Sequence, residues 1–206
     1  MTMQTPKTTA TARIARHWII AALAGAALLI LISVASVVIY AGLYNIAADT
    51  PHTQSAYWLL KKVRERSVTV RAADIAIPAD LTDKRRIASG AAQYAEMCSE
   101  CHLAPGMKRT EISQGLYPRA PQLWRGTSLT PAEEFWIVKH GIKLTGMPAW
   151  GATHDDRLLW DVVAFLRKLP DLSPEEYQTV IKSAPKSHGE MMQEMETEDG
   201  HDHGHP

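Results

Sequence analysis

The sequence predicts an all-α protein, with one long apolar helix near the N-terminus followed by a small helical domain. Three observations lead there. A run of 27 residues, Trp18 to Tyr44, carries no charge. Several later segments carry both helix-start and helix-stop signals, and no segment alternates apolar and polar residues as a half-buried strand would. The 206 residues suffice for one domain of ordinary size with additional segments.

Residues 1–17 read as a polar, threonine-rich tail without a packed core. Residues 18–44 come next as a transmembrane anchor. As a helix they extend about 40 Å, against about 30 Å of hydrocarbon in a bilayer. Lipid offers no partner to backbone N–H and C=O groups, so a single span must be helical. Trp18 at one end and Tyr40 and Tyr44 at the other fall where an aromatic belt sits. Lys7, Arg13 and Arg16 mark the cytoplasmic end, which directs the remainder outward, into the periplasm of a bacterium. A cleaved signal peptide is the alternative. Its apolar core spans only about 7–15 residues and ends in a small-residue cleavage site. This run is longer and has no such site near its end, so a single-pass anchor in the inner membrane is expected.

Residues 45–81 form a juxtamembrane stretch. Ala56, Leu59, Leu60 and Val63 recur at helical spacing, with Lys61, Lys62, Arg64 and Arg66 mostly on other faces. Such a helix rests on anionic headgroups, on a partner subunit, or on the main domain. Residues 69–81 read as an extended linker ending at Pro78. Asp83 to Cys98 reads as a helix, with a loop rich in Gly and Pro after it through Arg125. "TPAEEFWIVKHG" is a helix with Thr130 as cap, Pro131 in the first turn, Glu133 closing a capping box and Gly141 at its end. Residues 155–169 form another, with acids in the first turn and Arg167 and Lys168 in the last, and Pro170 stops it. A helix capped by Ser173 and Glu176 starts residues 171–186. Residues 187–206 have few apolar side chains and are expected to be disordered.

Charge balances over the whole chain, 22 basic against 22 acidic groups, but residues 171–206 hold nine acids and two lysines. No segment presents a strong basic cluster, which argues against nucleic acid as a partner. Only two cysteines occur, in "MCSECH". Cys-x-x-Cys-His is the attachment signal for c-type haem. Thiols at i and i+3 lie on one side of a helical turn, where each adds to one vinyl group of the porphyrin. The next residue is carried beneath the iron. Cys98 and Cys101 are therefore the covalent anchors and His102 an axial ligand. A zinc site needs further ligands that no second cysteine pair supplies. A thioredoxin-type pair needs a βαβ setting, and the flanks here read as helical.

A sixth iron ligand must come from the opposite face of the ring, from well downstream. "TGMPAWG" offers Met147, with Gly146 permitting an unusual backbone angle and Pro148 stiffening the loop. Met97 and Met107 are too near the attachment turn. Met191, Met192 and Met195 fall in the polar tail. His140 and His154 are the rivals. A His/Met pair raises the reduction potential, which suits electron transfer. The second nitrogen of His102 needs an acceptor, and Pro121 offers a free carbonyl, with Pro118 and Pro105 as alternatives.

Taken together, "CSECH", "PQL" and "GMPAW", bracketed by "GAAQY" and "WDVVAFL", resemble the class I cytochrome c family over residues 82–170. The further motifs "CHLAPG", "GLYP" and "FWIVKHGIKLTGMPAWG" are similar to membrane-anchored monohaem cytochromes of proteobacteria. The resemblance implies an all-α class I cytochrome c fold around one haem c. In it two terminal helices cross, with Gly90, Tyr94 and Phe165 at the contact. Trp124, Trp136 and Trp150 are expected to wall the haem pocket.

The expected role is a single-haem electron carrier, not an enzyme on its own. A quinol-oxidising complex or dehydrogenase would be its donor, and a terminal oxidase or reductase its acceptor. The alternatives are a haem c subunit of a larger oxidoreductase, as in a terminal oxidase, nitric oxide reductase or dehydrogenase, and a metal-binding or redox-sensing protein. The last rests on the tail, where His201, His203 and His205, with His188 and three methionines nearby, form a candidate copper or zinc site.

Overall fold

The computed structural model describes residues 8–184 and 186–199, with side chains described over 13–184 and 186–194. All regular structure among the described residues is helical. The chain divides into two compact units, Met1–Thr50 and Pro51–Pro206.

Among its described residues the first unit has one helix, α1 (Thr8–Tyr40). Its Arg13–Tyr40 portion is long and apolar enough to cross a membrane. The helix begins inside the expected tail and stops short of Tyr44.

The second unit opens with α2 (Gln54–Ala72), capped by the Thr53 side chain. The expected linker from 69 is helical as far as Ala72. Val68 and Ala72, four residues apart, are both buried, and the Thr69 hydroxyl donates to Glu133 Oε1 at 2.8 Å. Packing of this C-terminal half extends the helix beyond its apolar pattern. The first half keeps its apolar side chains in the open, with Leu59 56% and Val63 59% exposed.

Next come α3 (Lys84–Gln93), a wider π-type turn over Tyr94–Cys98, and α4 (Ser99–His102), continuous in sequence. The Asp83 carboxylate caps α3 at the Arg85 N–H, 2.7 Å away. After α5 (Glu111–Gly115) and a long loop with a single 3-10 turn at Leu123–Arg125, α6 (Pro131–His140) starts with the Thr130–Glu133 capping box in place. Asp155 caps α7 (Asp156–Lys168), and α8 (Pro174–Lys182) carries the Ser173–Glu176 box.

The core forms where α3 crosses α7. A Cβ on Gly90 would lie 1.9 Å from the Asp161 carbonyl oxygen, so only glycine permits this approach. Tyr94 and Phe165, both fully buried, meet beside it with ring centroids 5.4 Å apart. Phe135 of α6 stacks on Trp160 of α7 at 4.2 Å, joining α6 to the same core.

Within the tail expected to be disordered from 187 onward, the described residues form α9 (His188–Asp199). Ser187 and Glu190 exchange hydrogen bonds at its start. Met191, expected in a polar tail, is buried with Ala92 and Leu158, and Ser89 Oγ donates to its sulfur at 3.4 Å. The His188 ring stacks on His154. Met191, the His188–His154 stack and an ion pair between Lys186 and Glu194 thus hold a segment whose composition is that of a solvated tail.

Candidate functional site

The π-type turn at 94–98 sets the orientation of the helical turn after it. The Ser99 N–H reaches back five residues to the Tyr94 carbonyl. Such bulges rotate the next turn relative to the helix before it, and they concentrate at functional sites. Cys98 closes the π-type turn, and the next turn carries Cys101 and His102. Leu103 ends it with φ at 61°, an uncommon value for a branched residue. The Tyr94 hydroxyl donates to the Leu103 carbonyl at 2.5 Å and fixes that reversal.

Cys98, Cys101, His102, Pro121 and Met147 all border one largely apolar cavity of about 660 Å³. Its size lies within the roughly 300–1,000 Å³ of small-molecule and cofactor sites. His102 Nδ1 is 2.8 Å from the Pro121 carbonyl oxygen. A carbonyl only accepts, so Nδ1 carries the proton and Nε2 keeps its lone pair. Burial lowers the His102 pKa, partly opposed by that bond, and so favours the neutral imidazole a metal requires. Burial pushes the Cys98 thiol up to about 12, and burial, with Glu100 adding to it, raises Cys101. Redox-active thiols are held in surroundings that lower their pKa, so these two lack the character of a thioredoxin pair. Neutral thiols one turn apart, a free imidazole nitrogen and a thioether around an apolar space fit a covalently attached, iron-centred macrocycle.

Met147 owes its position to a tight turn. Its N–H bonds the Thr145 hydroxyl at 3.1 Å, and Thr145 in turn donates to the Ile142 carbonyl at 2.8 Å. The left-handed residue is Leu144, φ 60°, and Gly146 does not adopt a positive φ. Instead Gly146 leaves room for Leu116, whose Cδ2 would lie 2.5 Å from an added Cβ. Gly141, φ 63°, is more constrained, because an added Cβ would fall 2.7 Å from backbone atoms of both Met147 and Pro148.

Neither rival histidine borders the cavity. His140 is exposed and packs on Trp136. His154 is buried with Nδ1 toward the Trp150 carbonyl at 3.2 Å, and its ring lies 5.1 Å from that of His188. Of the three tryptophans expected on the wall, only Trp150 is there. Trp124 lies beneath the Arg125 guanidinium instead. His201, His203 and His205, the candidate copper or zinc ligands, lie outside the described residues. Among the described residues no group of three or more metal-ligating side chains is gathered.

Sequence reasoning missed the part of the wall supplied by α2. Tyr57, Arg64 and Val68 border the cavity, as does Arg119 in the loop before Pro121. Neither arginine has a carboxylate partner among the described residues. The periodicity of α2 marked an apolar face but gave no sign of what its other face meets.

A helical shell about an apolar cavity, walled by a Cys-x-x-Cys-His turn, is the arrangement of c-type cytochromes. Residues 85–166 match the family model described as cytochrome C oxidase, cbb3-type, subunit III, and this segment is a c-type cytochrome domain. No curated protein and no solved structure matches the chain.

Proposed function

We propose that the protein is a membrane-tethered, one-electron carrier holding a single haem c. Cys98 and Cys101 would hold it through thioether bonds, and His102 and Met147 would bind its iron. The observation that carries this reading is the gathering of all four side chains on one apolar cavity, with His102 Nδ1 already engaged by Pro121. The haem supplies an iron that alternates between ferric and ferrous states. The chain's own residues orient and shield it. Pro121 fixes the imidazole and raises its basicity, the Thr145 turn presents the thioether, and the apolar lining excludes water, which holds the potential up. Arg64 and Arg119 are cations suited to the two carboxylates of the macrocycle.

In this reading α1 is the single span, with residues 1–17 cytoplasmic and 45–206 periplasmic. Residues 82–170 hold the haem. The tether concentrates the haem near the bilayer, where a quinol-oxidising complex or dehydrogenase would reduce it and a terminal oxidase or reductase would oxidise it.

A second reading makes the chain a fixed subunit of a respiratory oxidoreductase. The matched family's description and the exposed apolar half of α2, including Leu59 and Val63, favour it. Purification in mild detergent separates the two, since a carrier emerges alone and a subunit emerges with its complex. The ligand set is tested by the weak far-red band of ferric iron bound to a thioether. The band is expected to vanish in Met147→Ala and to persist in His140→Ala and His154→Ala. Its persistence in Met147→Ala contradicts the assignment.

A further inference from the structure

Glu134 is a buried acid that neither the axial ligands nor the covalent attachment uses. It borders the cavity from α6 and is 3% exposed. Arg167 of α7 reaches Oε1 at 3.2 Å. Oε2 is buried and has no hydrogen-bond partner among the described residues. A carboxylate held this way leaves lone pairs unsatisfied in a medium of low dielectric, which is expensive for the charged form and much less so for the acid.

The charged groups around it do not remove that penalty. Glu133, its neighbour on α6, is of like sign and is engaged by Thr130 and Thr69. On the same cavity, Glu65 of α2 is paired with Lys62 at 3.2 Å, and Arg64, Arg119 and His102 border it too. Burial outweighs the adjacent Arg167 and pushes the Glu134 carboxyl up to about 7. Arg167 is itself 44% exposed, so the ion pair joins the buried carboxyl to a side chain that reaches solvent.

We propose that Glu134 takes up a proton from water when the iron is reduced and releases it on oxidation, coupling electron transfer to proton exchange. This rests on the haem reading above. The balance is simple. With a haem bound, the donor would lose the one electron that the iron gains, and a hydronium ion would give its proton to the Glu134 carboxylate and become water, so one O–H bond breaks as one forms. Ferric iron adds a positive charge and favours the carboxylate. Ferrous iron removes that charge and favours the acid.

The test is a spectroelectrochemical titration of the full-length, haem-loaded chain in detergent, from about pH 5 to about pH 9, spanning the ordinary carboxyl range and the neutral region. The wild-type potential is expected to fall as pH rises around neutrality. The slope approaches but does not exceed about 59 mV per pH unit, the tenfold-per-unit limit of a one-electron, one-proton couple. Glu134→Gln keeps the shape and loses the proton site, so its curve is flatter by that contribution. Carboxylates of the macrocycle titrate in both proteins and cancel in the difference. Superimposable curves overturn the inference. If Glu134→Gln does not retain haem, Glu134→Asp serves, since it keeps an acid at an altered depth and must displace the window from that of wild type. Coincidence with wild type there also overturns it. A chain with no covalent haem or no reversible couple refutes the underlying reading instead, and the inference falls with it.

Discussion

His102 Nδ1 and the Pro121 carbonyl oxygen lie 2.8 Å apart, although the residues are nineteen positions apart in sequence. The bond selects the tautomer that leaves Nε2 toward the cavity. Proline contributes a carbonyl whose backbone is already restricted. Pro121→Gly keeps the acceptor and loosens its segment by about 1 kcal/mol. The Nδ1 proton is then expected to exchange with solvent roughly fivefold faster. NMR of the haem-loaded protein in deuterated buffer measures this directly.

The Tyr94 hydroxyl holds the Leu103 carbonyl just past His102, in a buried setting. Tyr94→Phe leaves that carbonyl without its partner, a loss of about 1–3 kcal/mol. Denaturant unfolding of the haem-loaded variant is expected to show a lower midpoint with an unchanged slope, since the exposed surface is the same.

Gly141 combines a left-handed backbone with contact against Met147 and Pro148. Gly141→Ala carries about 1–2 kcal/mol of backbone strain before any clash. It is expected to displace the Met147 turn while leaving Cys98 and Cys101 untouched. The outcome to look for is covalent haem with a diminished far-red thioether band. A full band in Gly141→Ala shows that Gly141 does not position Met147.

Which features were readable in the sequence depends on how local their causes are. The capping boxes at Thr130 and Ser173 need residues only three apart, and both formed. Gly90 was placed at the helix crossing by the resemblance to class I cytochromes c and not by its own neighbours in sequence. The Cys-x-x-Cys-His turn is likewise contained in five residues. Other features depend on distant partners. Helix α2 runs to Ala72 because Val68 and Ala72 are buried, and nothing in the segment itself requires that. Helix α9 draws on Met191 against Leu158 and His188 against His154, contacts invisible in an acidic, apolar-poor stretch. At Met147 the general rule that glycine takes positive φ pointed to Gly146, but Leu144 takes it, because the Thr145 hydroxyl bridges Ile142 and Met147.

The His154–His188 stack makes α9 sensitive to acid. Burial lowers the His154 pKa from its usual 6.5, and the neighbouring His188 adds to that, while Trp150 and Asp155 oppose it. Linkage sets the sign. Above about 6.5 the ring is neutral whether or not α9 is docked. As pH falls below that, the undocked ring binds a proton more readily, so docking weakens. Amide exchange over residues 188–194, corrected for intrinsic rates, is expected to accelerate at mildly acidic pH more than exchange in α7 does. Equal changes in both segments contradict this.

The central claim is the covalent bond between Cys98, Cys101 and one porphyrin. Intact-mass measurement of the chain purified from a host able to mature c-type cytochromes, after treatment with a thiol-alkylating reagent, tests it most directly. The expected species carries the mass of one haem and no alkyl groups. A chain of apoprotein mass bearing two alkyl groups would contradict the account.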